Sequence, residues 1–168
     1  LSSPTDFWSH AAGMEAAQIA ARIPHAGTMC LLHSVHSADA AQLLARASSH
    51  RDASNPLARA GRLGAACGVE YAAQAMALHG ALTAQAGSAN GVAAPSPAGY
   101  LVNVRNLALQ VQRLDDIATD LRVQVRKFDD SGAFTIYDFE LTTDEPEARA
   151  LLSGRAYVML QAADAGAT

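Results

Sequence analysis

The chain has 168 residues, half of them hydrophobic and 17% charged, with a formal net charge of −4. That length suggests one domain with a proper core, and this balance excludes a disordered chain and argues against nucleic acid as a general partner. The basic residues are arginines apart from Lys127, and the only cysteines are Cys30 and Cys67, so a reduced, cytoplasmic protein is expected rather than a disulfide scaffold.

The first third reads as a helix followed by two strands. Met14 to Arg22 is helical in composition, with Ile19 and Ile23 on an apolar face, and Pro24 ends it. Thr28 to His36 and Gln42 to Ser49 are apolar-rich runs separated by Ser37-Ala38-Asp39, as in a hairpin. His50 to Ala66 contains Asp52, Ser54, Asn55, Pro56, Gly61 and Gly64 with no clean period, which predicts a long loop.

Cys67 to Gln85 is the one long helix. Val69, Ala72, Ala73, Met76, Ala77, Gly80 and Ala81 leave it little polar surface, so other structure must wrap it. Gly87 to Pro97 is a second loop. Tyr100 to Val111 is a long, mostly apolar strand. Leu121, Val123 and Val125 alternate with Arg122, Gln124 and Arg126, as in a sheet with one wet face. Asp129-Asp130-Ser131-Gly132 turns into a strand from Phe134 to Thr143, and Thr143 to Glu147 turns into a last strand from Arg149 to Leu160. The tail from Gln161 is expected to fray. No apolar run reaches the roughly 18 residues of a membrane span. The chain begins at Leu1, not Met, so the lack of a leader carries little weight.

This order gives an α+β domain spanning residues 1–168, with a core of about 14–160. A single helix wrapped by one curved antiparallel sheet satisfies it.

The chemistry concentrates between His50 and Ala77. His50 stands just before a loop, and Glu70 stands in the first turn of the apolar helix. An unpaired charge there would cost several kcal/mol, on the order of the usual buried-charge penalty, unless the helix dipole or a partner offsets it. An imidazole and a carboxyl in a dry pocket can serve as general base and general acid. Alone, Glu70 is equally readable as a helix N-terminal charge, and His50 as a loop histidine. His25 follows Pro24 and reads as a turn residue. His79, nine positions after Glu70, points to the opposite helix face and reads as structural, as do His10, His33 and His36. Met14, Met76 and Met159 read as core filler. No histidine spacing suggests a metal, and no cofactor is expected.

Pro24-His25-Ala26-Gly27-Thr28-Met29-Cys30-Leu31-Leu32-His33-Ser34-Val35 resembles, without a gap, a segment of the hot-dog-fold β-hydroxyacyl-(acyl-carrier-protein) dehydratases. His50 through Asn55-Pro56-Leu57 resembles their catalytic stretch, and Gly68-Val69 through Ala75-Met76-Ala77 resembles the start of their central helix. Ser49-His50-Arg51, Cys67-Gly68-Val69-Glu70-Tyr71 and Leu152-Ser153-Gly154-Arg155 make the chain similar to the divergent dehydratases of aryl-polyene pathways. It departs from the fatty-acid enzymes in a longer loop after His50, in Gln74 where they carry an acid, and in His33 where they carry Asp. Glu70 lies one turn before Gln74, so the acid is read as shifted toward the helix N-terminus.

The resemblance implies a hot-dog domain that dehydrates a 3-hydroxyacyl thioester carried by an acyl-carrier protein. His50 would take the C2 proton, and Glu70 would protonate the leaving hydroxyl. Cys67, Gly68 and Val69, at the helix start, would supply amides to the enolate oxygen, with Gly68 allowing close approach and Gln74 binding substrate. Arg51, Arg59 and Arg62 are candidate docking residues for the acidic carrier protein. A homodimer is implied, with His50 of one subunit facing the acid of the other; a heterodimer with a second dehydratase-like subunit is the variant. Two other activities stay open: a hot-dog thioesterase in which Glu70 activates water, and a non-catalytic partner subunit, motivated by Gln74.

Overall fold

The computed structural model describes residues 4–88, 99–131 and 134–160. A 20-residue helix, α3 (Gly68–Gly87), packs against a six-stranded antiparallel sheet, the hot-dog arrangement. The strands are β1 (Ser34–Ala38), β2 (Gln42–Ala47), β3 (Gly99–Leu109), β4 (Leu121–Asp130), β5 (Phe134–Thr143) and β6 (Ala150–Leu160). They lie in the order β1-β2-β4-β5-β6-β3. Two short helices precede them, α1 (Pro4–Ala11) and α2 (Ala16–Ala20).

The period-2 pattern of β4 and β5 turns alternate residues onto α3. Leu121, Val123 and Val125 are buried on β4, and Tyr137, Phe139 and Leu141 on β5, while Arg122, Gln124, Asp138 and Glu140 stay on the wet face. From α3, Tyr71, Ala72, Ala75, Leu78 and Leu82 join the same core. Each large apolar side chain buried in this way contributes about 1.5–3 kcal/mol. Gly68 is fitted closely. A Cβ there would stand 2.4 Å from Leu152 Cδ2 and 3.1 Å from Leu141 Cδ2, so the missing side chain lets the start of α3 press onto β5 and β6.

Several sequence expectations are corrected. The helix read over Met14 to Arg22 is only α2, and α1 before it was not foreseen. Thr28 to His36 is not one strand: Gly27–Met29 is a 3-10 turn, and pairing with β2 begins at Ser34. Ahead of His33, whose N donates to Arg46 O on β2 at 2.9 Å, the carboxamide of Gln74 takes the place of a strand, accepting from Leu31 N at 2.9 Å and donating to Met29 O at 2.7 Å. Inside the loop read over His50 to Ala66 are 3-10 turns at Ser49–Arg51 and Ala65–Cys67. Met159 is 42% exposed on the outer side of the sheet, not core. The loop read over Gly87 to Pro97 lies mostly outside the described residues, as do Gly132 and the tail from Gln161.

β3 sits at the end of the sheet with β6 as its one partner strand. It is the long, mostly apolar strand read from Tyr100 to Val111, and Tyr100, Leu101, Val102, Leu107 and Leu109 on it are all exposed. A long apolar edge strand is a template for pairing with another chain.

Candidate active site

Glu70 occupies the first turn of α3, at the positive end of the helix dipole. Its side chain is 31% exposed, and Oε1 stands 3.0 Å from His25 Nε2. Gln74, one turn further on, donates from Nε2 to the same Oε1 at 3.1 Å. Gln74 is completely buried, and both ends of its amide are already engaged with Met29 and Leu31. The side chain expected to bind substrate is therefore occupied by its own chain. His25 is brought to Glu70 by the turn after Pro24, which Cys30 closes by donating from Sγ to His25 O at 3.3 Å.

His50 is almost fully buried, in the 3-10 turn Ser49–Arg51 that follows β2. Its Nε2 lies 3.1 Å from Ile117 O. A carbonyl can only accept, so Nε2 carries the hydrogen and Nδ1 holds the lone pair. Nδ1 is buried and has no partner among the described residues. Burial pushes the imidazole below its ordinary range, the Ile117 carbonyl partly opposing it and the Arg51 charge adding to it. The Thr119 backbone and the Asp120 charge also oppose the shift, and Arg51 Nη1 stands 3.4 Å from Nε2, so the net effect of the surroundings favours the neutral ring. No hydrogen bond or ion pair joins it to Glu70 among the described residues of the chain.

The two turns are nevertheless tied together. Ser49, beside His50, donates from Oγ to Leu31 O at 2.8 Å and lies 3.0 Å from the hydroxyl of Tyr71, beside Glu70. Asn55 Nδ2 donates to Ser49 O at 2.8 Å and to Tyr71 OH at 3.0 Å. Tyr71 is fully buried, and burial pushes its phenol up. The small network sets the His50 turn against the first turn of α3.

The helix-start residues stand differently from expectation. The 3-10 turn Ala65–Cys67 runs straight into α3, so Cys67 N donates to Gly64 O at 3.0 Å and Gly68 N to the carbonyls of Ala65 and Ala66. These amides are already engaged, and the Cβ direction of Gly68 faces leucines rather than open space. Cys67 packs beside Val69 at the core margin, its Sγ 4.0 Å from Leu57 O. Of the three arginines, Arg51 is ion-paired to Asp120 at 2.6 Å. Arg59 folds back onto Pro56 O and Ala58 O at 3.0 Å, and Arg62 is exposed.

Sequence reasoning missed His25 as the partner of Glu70, and Tyr71 and Asn55 as the link to His50. The only signals were the Pro24-His25 pair and the placement of Tyr71 directly after Glu70. A cavity of about 460 Å³ begins at Pro24, the neighbour of His25 in the chain, and is lined by Met76, Gly80 and Tyr137 together with the charged Arg22, Lys127 and Asp130. Among the described residues no helix is long and apolar enough to cross a membrane.

Comparison with protein families matches residues 17–165 to the ApeP-like family, described as ApeP dehydratase. Comparison with curated protein sequences finds no match. Among solved structures, the dehydratase heterocomplex ApeI:P from Xenorhabdus doucetiae is similar with a TM-score of 0.69 and 20% identity, over 86% of this chain and 91% of that one. Zebrafish thioesterase superfamily member 2 is similar with a TM-score of 0.56 and 14% identity, over 88% and 99%. The mouse thioesterase superfamily member 2 gives 0.53 and 12%, over 76% and 81%. At these identities the likeness is one of fold.

Proposed function

Because the chain belongs to the ApeP-like dehydratase family, we propose that it dehydrates a 3-hydroxyacyl thioester, carried by an acyl-carrier protein in the cytoplasm, to the trans-2-enoyl thioester, in an aryl-polyene-like or fatty-acid-like pathway. The observation that carries this reading is the setting of His50: a buried imidazole whose Nε2 lies 3.1 Å from Ile117 O and whose Nδ1 has no hydrogen-bond partner among the described residues.

In this mechanism His50 Nδ1 removes the proton from C2. The electron pair moves into the C2–C3 double bond as the C3–O bond breaks, and the carboxyl of Glu70 gives its proton to the departing hydroxyl, which leaves as water. The enzyme ends with a proton on His50 and a carboxylate at Glu70, and exchange with solvent resets both. Each acid–base contribution of this kind accelerates the reaction by about a hundred- to ten-thousand-fold. The thioester oxygen needs a donor while negative charge develops on it. With the Cys67 and Gly68 amides already engaged, we assign that role to Val69 or to a group from a second subunit. Gln74 holds Glu70 in place, and the cavity beside Pro24 receives the acyl chain.

Among the described residues of one chain no hydrogen bond or ion pair joins His50 to Glu70, which supports a site completed by a second hot-dog subunit that places its own histidine opposite Glu70. The exposed apolar β3 is the surface for that pairing. The similar Xenorhabdus doucetiae structure is a heterocomplex, and a dehydratase-like partner fits the same edge as a second copy. Arg62, exposed, and Arg51 and Arg59 on the same loop are the proposed contacts for the carrier protein.

The thioesterase folds keep a second activity in view, in which Glu70 activates water. One assay separates the readings: the purified chain, alone and co-expressed with a dehydratase-like partner, is given 3-hydroxyacyl-carrier protein and the products are identified. Enoyl thioester supports the proposal, free acid favours a thioesterase, and product that appears only when the partner carries all the catalytic groups shows a non-catalytic subunit.

A further inference from the structure

We propose that His25 is a positioning residue for Glu70: with Gln74 it holds one carboxyl oxygen, Oε1, so that Oε2 is the atom presented to the substrate hydroxyl. The proposal rests on the dehydratase reading and adds a residue to it.

Two N–H donors from separate parts of the chain converge on Oε1, His25 Nε2 at 3.0 Å and Gln74 Nε2 at 3.1 Å. Both donors are themselves anchored. Gln74 is completely buried and bonded to Met29 and Leu31. His25 lies within the turn that Pro24 begins and Cys30 closes. A glutamate in the first turn of a helix, about a third exposed, otherwise has several rotamers open to it. Two fixed donors on one oxygen select the rotamer and the oxygen that faces outward. His25 acts through one nitrogen only, since Nδ1 is buried and has no partner among the described residues. A single donor is thus what the position requires, and a carboxamide can supply it.

The clamp also explains how the acid can stand one turn before the position where the related dehydratases carry it. The residue there, Gln74, has become the second donor, and the turn carrying His25 closes over Glu70 from the other side.

The test is kinetic, on the active assembly, with an independent spectroscopic arm. His25→Ala should lower kcat by about a hundred-fold, the scale of a catalytic group misplaced by about 1 Å, with KM and thermal midpoint nearly unchanged. His25→Gln should restore most of the rate. Equal loss of kcat in both variants, an unaltered rate in His25→Ala, or a loss confined to thermal stability would overturn the proposal. In the second arm, the imidazole nitrogens of labelled protein are observed by nuclear magnetic resonance. The His25 Nε2 signal should move in Glu70→Ala while the His79 signals stay in place; an indifferent His25 signal sinks the clamp. If the wild-type assembly forms no enoyl product, the dehydratase reading fails, and the resonance arm alone decides whether the clamp exists.

Discussion

Ser49 Oγ lies 3.0 Å from Tyr71 OH, and through that contact the turn carrying His50 is fixed to the helix turn carrying Glu70. Both groups belong to a buried network with Asn55 and the Leu31 carbonyl. The network positions without reacting, so removing one member separates geometry from chemistry.

Tyr71→Phe keeps the ring and deletes the hydroxyl. Ser49 still donates to Leu31 O and Asn55 still donates to Ser49 O, so the loss of stability should be about 1 kcal/mol. Turnover should fall by more than that stability loss suggests, because the His50 turn loses its tie to α3. Urea denaturation and steady-state rates measured side by side check this; an unchanged kcat would show that the network only supports the fold.

Gly68→Ala should destabilise the chain by about 1–3 kcal/mol, the usual cost of forcing a methyl into a packed core. The new Cβ would stand 2.4 Å from Leu152 Cδ2, and Leu152 is itself fully buried. Shortening the neighbour in Gly68→Ala/Leu152→Val should recover part of the loss. If Gly68→Ala instead preserves stability and abolishes turnover, the glycine serves close approach of the thioester.

Stability should decline on acidification. Burial pushes the imidazoles of His50 and His79 below their ordinary range. His79 accepts from Tyr137 OH at 2.9 Å and donates to Asp39 O at 3.0 Å, a pairing suited to the neutral ring. The folded state therefore favours neutral histidine, and its contribution is complete above the unfolded pKa of about 6.5. As pH falls below that value the unfolded chain binds protons first, and stability is lost until the folded pKa is passed. Denaturation midpoints between pH 8 and pH 5 should show this slope, made shallower by His79→Gln. A flat profile would contradict it.

Association should depend on β3. Leu101 and Leu109 are exposed on that edge strand, and lysine at both positions makes the edge hostile to strand pairing. The double variant should sediment as a single chain at concentrations where the unaltered protein is paired with its copy or its partner. Unaltered association would move the interface elsewhere.

The sequence made some of this legible and hid the rest for physical reasons. Phe134 to Thr143 was read with the bounds that β5 has, because alternation and flanking turns are local signals. The long helix was recognised from its apolar composition. The run from Thr28 to His36 looked like one strand because it is rich in apolar residues, yet the partner of Leu31 is a side chain 43 residues away. Tyr100 to Val111 was legible as a strand, but its exposure was not, because apolar content does not distinguish a buried strand from an exposed one. Glu70 was legible as an unusual charge in an apolar helix. Its contact with His25, across 45 positions, was not, since pairings that distant are decided by the fold.

The most direct measurement is the rate of enoyl-thioester formation from 3-hydroxyacyl-carrier protein by Glu70→Gln and His50→Ala, each in the assembly that is active for the unaltered chain. Gln has nearly the shape of Glu but cannot deliver a proton, and Ala at position 50 removes the base. Each variant should keep its fold and its affinity for the acyl thioester while losing at least about a hundred-fold in kcat. Near-full rate in Glu70→Gln together with loss in Gln74→Ala, or near-full turnover by a folded His50→Ala, would contradict the account.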